Sequence, residues 1–280
     1  MSVRTPILRY RSGHFSARPD SVAGEEPLEL RVGGVPLTVT MRTPGADIDL
    51  LHGFLHAEGL IAGPADVAGA KYCDGVDDQG RNTYNVLEVE LTGGSPPPRE
   101  LAAAARAFTT NSACGVCGKS SIDALAQRLR YQLPADGPIF QPQVLAGLPD
   151  ALRNQQKAFR STGGLHGAAL ARPDGLLELV REDVGRHNAV DKTIGAAVRA
   201  GRLPLSEHAL VTSSRASFEL VQKALMAGIS TLVAVSAPSS LAVDLAAEAG
   251  MTLVGFVRDG SFNVYAGAER VAGALHEVSA

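Results

Sequence analysis

Ala209-Leu-Val-Thr-Ser-Ser-Arg-Ala-Ser-Phe-Glu-Leu-Val-Gln-Lys-Ala-Leu-Met226, Thr231-Leu-Val-Ala-Val235, Ser240-Leu-Ala-Val-Asp-Leu-Ala-Ala-Glu-Ala249 and Thr252-Leu-Val-Gly-Phe-Val257 follow one another along the chain. Short continuous apolar runs (Ala209–Thr212, Thr231–Val235, Thr252–Val257) alternate with helical patterns over Ala216–Met226 and Ser240–Ala249. A strand buried on both faces reads as such a run, and strand–helix–strand crossovers return the chain in one direction. The order therefore predicts a mostly parallel sheet covered by helices on both faces.

Working outward, the same logic places a helix at Asn188–Arg199, strands at Leu176–Val180 and His166–Ala171 around a Pro173-Asp174-Gly175 turn, and a helix at Val144–Phe159. Phe262–Tyr265 reads as a short last strand. In the other direction, Glu29–Thr40 alternates around Gly33-Gly34 as a hairpin. Ala46–Leu60 looks helical, with Leu50, Leu51, Phe54 and Leu55 on one face, and Asn85–Leu91 alternates as a strand. Gly93-Gly-Ser-Pro-Pro-Pro98 is a linker that no helix or central strand tolerates. Breakers also fill Pro134 to Pro142. The expected class is α/β: an α+β domain over residues 1–132 and a three-layer α/β/α domain over 133–280, joined near 132–142.

Composition agrees with a globular chain: 45% of the 280 residues are hydrophobic and 20% charged, and with no tryptophan the core must rest on Ala, Val, Leu and Ile. A net charge of −3 gives no reason to expect whole-surface binding to nucleic acid or anionic lipid. Three cysteines make no disulfide framework. Met1 to Asp20 carries Arg4, Arg9, Arg11 and Arg18 without the apolar stretch of a signal peptide. The most apolar region, Leu232–Val257, is broken by Ser239, Asp244, Glu248 and Gly250, so no membrane span is expected. These readings point to a cytoplasmic protein.

Two of the cysteines stand three residues apart in Thr109-Thr-Asn-Ser-Ala-Cys114-Gly-Val-Cys117-Gly-Lys-Ser-Ser121. Gly115 and Gly118 permit turn conformations that side chains forbid. A helix expected over Ser120–Leu129 would offer free N–H groups and partial positive charge to a thiolate or persulfide, with Lys119 as a nearby cation. A thioredoxin-like redox pair expects a strand before the motif, and the preceding residues are polar. A closed zinc site needs four ligands, and only Cys73 remains, with no suitably spaced His pair. A sulfur relay needs one nucleophilic thiol on a loop and tolerates a second; inert thiols in a turn are the remaining alternative. His56-Ala-Glu58 matches half of the zinc-deaminase pattern. Ala113 stands where the proline of the other half belongs, however, so the match reads as coincidence.

Polar stretches follow the strands: Glu182-Asp-Val-Gly-Arg186-His187-Asn-Ala-Val-Asp-Lys192, Thr212-Ser213-Ser214-Arg215-Ala-Ser217 and Phe256-Val257-Arg258-Asp259-Gly260-Ser261. Ligands of open α/β sheets bind outside the carboxyl ends of strands, and helix N-termini favour anions. A cap explains one Ser or Thr in the second stretch, not four with an Arg, whose guanidinium fork suits phosphate. His187 reads equally as a site residue or a satisfied buried imidazole. Phe256–Ser261 reads equally as a ligand loop or a simple Asp-Gly β-turn. Arg186, Arg215 and Arg258 are expected at one end of the same sheet.

Cys114-Gly-Val-Cys117-Gly, Gly164-Leu-His-Gly-Ala, Glu182 to Lys192, Ser213-Ser-Arg-Ala-Ser-Phe-Glu219, Leu253-Val-Gly-Phe256 and Gly53-Phe-Leu-His-Ala-Glu-Gly-Leu-Ile61 together closely resemble the FdhD family of formate dehydrogenase accessory sulfurtransferases, in collinear order from about residue 25 to 267. The resemblance implies a sulfur carrier: a cysteine desulfurase loads sulfur onto the cysteine loop, which then sulfurates the molybdenum of molybdenum bis(molybdopterin guanine dinucleotide) before insertion into formate dehydrogenase. It also implies Cys114 as the persulfide carrier with Cys117 as partner, Phe256–Ser261 as the cofactor loop, a homodimer, and a C-terminal domain of cytidine-deaminase fold. The zinc positions of that fold match Asp183–His187 and Ser213–Ser217, which hold no cysteine, so no structural metal is expected. A non-catalytic cofactor-binding chaperone is the alternative, and it would have no need of an activated thiol.

Overall fold

The computed structural model describes residues 2–73, 75, 83–94, 96, 129–134 and 136–277. An antiparallel ribbon opens the chain, β1 (Ser2–Arg11) and β2 (His14–Ala23), turned by Ser12 and Gly13 at φ 51° and 88°. Next come β3 (Glu26–Val32), β4 (Val35–Arg42), α1 (Asp47–Ala57), β5 (Val67–Tyr72) and β6 (Val86–Leu91), the strands forming a sheet in the order β4-β3-β6-β5. Leu28, Leu30 and Val32 alternate onto one face of β3 and meet Leu87 and Val89 of β6 with Leu50, Leu51 and Leu55 of α1, all buried. The hairpin, helix and β6 follow the expected pattern; the ribbon and β5 go beyond it.

The second half contains α2 (Pro142–Gln155), α3 (Lys157–Thr162), β7 (His166–Ala171), β8 (Leu177–Asp183), α4 (Arg186–Arg199), β9 (Ala209–Thr212), α5 (Phe218–Met226), β10 (Thr231–Ala234), α6 (Ser240–Glu248), β11 (Thr252–Arg258), β12 (Ser261–Ala266) and α7 (Ala274–Glu277). Its sheet runs β12-β11-β10-β9-β7-β8. Only β9–β10 and β10–β11 pair in parallel, and the other three pairings are antiparallel. The expectation of a mostly parallel sheet is corrected on this point. The helical crossovers through α5 and α6 give the parallel core, whereas β8 and β12 follow their neighbours through tight turns that can only reverse the chain.

The layering follows from the two-residue period of strands. Ala168, Leu170, Leu210, Leu232 and Leu253 face α4, α5 and α6, while Ala169, Val211, Val233 and Val254 face Leu145, Leu148 and Leu152 of α2. Burying a Leu or Val side chain contributes about 1.5–3 kcal/mol, so both faces are needed to hold the short central strands. α1 lies directly on α4. A Cβ at Gly53 would strike the backbone of Asp191, and one at Gly195 the backbone of Asp49 and Gly53. These two glycines let the helices touch, joining both sheets through one continuous core.

The helix expected over Val144–Phe159 is broken at Gln156, whose ψ of 84° separates α2 from α3. The Glu182 carboxylate explains the break, accepting the N–H groups of Ala158 (2.9 Å) and Phe159 (2.7 Å) and so starting α3 afresh.

Candidate functional site

The strands β8, β9, β10 and β11 all end on the side of the sheet where β7 begins, so the loops after them share a rim with His166. A cavity of about 470 Å³ opens there. Val184, Ser213, Val235, Val257, Arg258 and Asp259 supply its strand-end wall; Asp150 and Arg153 of α2, then Gln156, Phe159 and Gly163 to His166, supply the wall opposite. The β11–β12 turn holds Asp259 and Gly260 at φ 51° and 73°, the left-handed pair that a two-residue hairpin requires. That turn carries Arg258 and Asp259, both exposed, to the cavity. Ser213 Oγ accepts the Gly167 N–H at 3.0 Å and lies 3.3 Å from His166 Nδ1. Burial, and then the nearby Arg186 guanidinium, push the His166 pKa down, which favours a neutral ring.

Of the residues expected to bind a cofactor, Ser213, Val257, Arg258 and Asp259 line this cavity. Phe256, Gly260 and Ser261 belong to the same hairpin but not to its lining, and Ser261 Oγ donates to Arg258 O at 2.9 Å. Ser214 is buried and bonded to Thr212 Oγ1 (3.0 Å) and Arg215 O (2.9 Å), while Arg215 is exposed on the loop after β9. Arg186 and His187 occupy the first turn of α4. His187 Nε2 lies 3.8 Å from Glu219 Oε2, an ion-pair separation too long for a hydrogen bond. The imidazole across this gap, together with the Ser217 hydroxyl and the Glu219 N–H, lowers the Glu219 carboxyl to about 2 despite partial burial.

The rest of the Glu182–Lys192 stretch is framework. Asp183 is sealed from solvent, with Lys192 Nζ at 2.6 Å and the N–H groups of Thr43 (3.1 Å) and Gly185 (2.8 Å) donating to it. Lys192 also donates to Thr43 O at 2.8 Å, and Asn188 to Met41 O at 2.8 Å, tying α4 to the end of β4. Asp191 pairs with Lys223 at 2.7 Å, although burial pushes its carboxyl up. His56 is fully buried, hydrogen-bonded to Met226 O at 2.9 Å and shifted down by desolvation, a core histidine, in line with reading its half-match to a deaminase pattern as coincidence. Cys114, Cys117, Lys119 and most of the helix expected over Ser120–Leu129 lie outside the described residues. Among the described residues no helix is long and apolar enough to cross a membrane.

A sequence model of the FdhD/NarQ family matches residues 23–272. The chain belongs to this family. It is 55% identical to the sulfur carrier protein FdhD of Nocardia farcinica, over 97% of this chain and 95% of that one. It is 54% identical to the protein of the same name from Streptomyces coelicolor, over 96% and 95%. A crystal structure of a candidate formate dehydrogenase accessory protein from Desulfotalea psychrophila shares the fold, with a TM-score of 0.73 over 96% of this chain and 99% of that one at 22% identity. The FdhD/NarQ match begins where β2 ends, so the N-terminal ribbon precedes the matched region.

Sequence reasoning had no means of finding the α2–α3 side of the cavity. Asp150, Arg153 and Gln156 read as the polar face of one helix, and the one local signal available was the Gly163-Gly164 pair, whose first member is the left-handed C-cap that ends α3.

Proposed function

We propose that this chain is a sulfur carrier that takes sulfur from a cysteine desulfurase as a persulfide on Cys114. It passes that sulfur to the molybdenum of molybdenum bis(molybdopterin guanine dinucleotide), its bound substrate, before the cofactor enters formate dehydrogenase. One observation carries the reading: the Cys114-Gly-Val-Cys117 pair stands in a chain 55% identical, over nearly its whole length, to a protein named as a sulfur carrier. In loading, the Cys114 thiolate attacks the outer sulfur of the donor's persulfide; the donor leaves as a thiolate and a new S–S bond forms on Cys114. In release, Cys117 attacks the Cys114 sulfur, the two residues close a disulfide, and the outer atom departs as hydrosulfide, the electrons coming from the thiol pair.

The strand-end cavity supports the second half of the reading. Its volume suits one nucleotide-sized group, and Arg258 stands where a phosphate can be met by a charge-assisted fork. The cofactor carries two guanine nucleotides, and a homodimer would offer two such cavities. The alternative is a chaperone that binds the cofactor without sulfur chemistry, and an intact-mass measurement separates the two. After incubation with a cysteine desulfurase and cysteine, the wild-type chain gains one sulfur atom, and Cys114→Ala gains none. A wild-type chain that gains no sulfur would favour the chaperone.

A further inference from the structure

Gln156 is 3% exposed and forms part of the cavity wall, yet its Nε2 has no hydrogen-bond partner among the described residues. A buried polar group without a partner is unfavourable, and natural structures retain few of them unless a ligand or function satisfies them. The position is built rather than incidental. The break between α2 and α3 sets the Gln156 backbone, and its side chain lies flat on Gly167, where a Cβ would come within 2.6 Å of both Cδ and Nε2. Among the other polar side chains lining the cavity, His166 Nδ1 lies 3.3 Å from Ser213 Oγ. Ser213 is bonded to Gly167, and Asp150, Arg153, Arg258 and Asp259 are exposed.

The cavity thus has a charged, open rim and an interior where Leu165 and Val257 are buried around the Gln156 amide, with half-buried Ser213 and His166 also in its lining. A nucleotide fits that polarity in one orientation, with phosphates at the arginines and the flat base inside. A carboxamide offers a donor and an acceptor side by side, which matches the O6 and N1–H of guanine. We propose that Gln156 is a specificity-determining residue, its amide pairing with the base so that the cavity selects guanine. This inference rests on the nucleotide reading of the cavity given above.

The test is calorimetric titration of the full chain with GDP and with ADP, for wild type, Gln156→Met, Gly167→Ala and Arg258→Ala. Wild type is expected to prefer GDP by about tenfold or more, and Gln156→Met to lose about tenfold in GDP affinity and bring the two nucleotides within about threefold. Its melting temperature should hold or rise, because an unbranched apolar chain replaces an unpartnered amide; a merely structural Gln156 would instead lower it. Gly167→Ala, which displaces the amide without deleting it, should narrow the preference in the same way and decides the matter if Gln156→Met does not fold. Arg258→Ala should weaken both nucleotides alike and leave their ratio intact. Gln156→Met or Gly167→Ala with GDP affinity and GDP/ADP ratio unchanged within about twofold would overturn the assignment of Gln156 alone. A wild-type chain that binds neither nucleotide would overturn the nucleotide reading itself, and this assignment with it.

Discussion

Lys192→Met probes the polar framework behind the strand-end loops. The substitution keeps the length and most of the volume of the side chain but removes an ammonium 2.6 Å from Asp183, where the two residues are 1% and 0% exposed. Removing one partner of a buried pair costs about 3–5 kcal/mol, because the other charge is left uncompensated. Asp183 keeps the N–H groups of Thr43 and Gly185 and the amide of Asn188 (3.2 Å), which continue to solvate its carboxylate. The lower end, about 3 kcal/mol, is therefore expected. Asp183→Asn combined with Lys192→Met removes both charges and should cost less than the sum of the single changes by more than ~1 kcal/mol. Urea unfolding followed by circular dichroism measures all four chains. A Lys192→Met loss below ~1 kcal/mol, or strict additivity in the double variant, would refute the view of Asp183–Lys192 as a coupled buried pair that ties α4 to β4.

Gly195→Ala should lose about 3 kcal/mol or more in the same assay, since its Cβ meets backbone of α1 that cannot rotate aside; a loss under ~1 kcal/mol would mean that α1 and α4 separate easily. Glu219, held at about 2 beside His187 against its usual 4.5, contributes stability that is fully present above 4.5 and is lost as the pH falls from 4.5 towards 2. Glu219→Gln should flatten the fall of the urea midpoint across that window, and an unchanged acid limb would place the coupling elsewhere.

The central strands could be read from the chain because burial makes Ala209–Thr212, Thr231–Val235 and Thr252–Val257 into apolar runs bounded by turn residues. Their pairing could not: the antiparallel placement of β7 beside β9 depends on contacts far apart in sequence, which local pattern does not encode. The ribbon escaped notice because most of its residues are exposed and it buries no apolar stripe, although Ser12-Gly13 between two β-capable segments was a turn signal. At the site, Arg258 and Asp259 announced themselves through an Asp-Gly turn after a buried strand. Gln156 did not, because the apolar spacing of Leu145, Leu148 and Leu152 runs on towards Phe159, and the break between them is imposed by Glu182 from another strand. The cysteine pair was read from residue type and spacing alone.

The sulfur-carrier account meets its most direct test in a chase of labelled sulfur. The chain is loaded by a cysteine desulfurase with radiolabelled cysteine, freed of donor, and mixed with the guanine-dinucleotide molybdenum cofactor and cofactor-free formate dehydrogenase. The label should leave Cys114, appear in the cofactor, and rise in step with formate oxidation, while Cys114→Ala transfers no label and yields no activity. Activation by Cys114→Ala equal to that by wild type, with the cofactor unlabelled, would contradict the account and leave this chain a binder of the cofactor rather than the source of its sulfur.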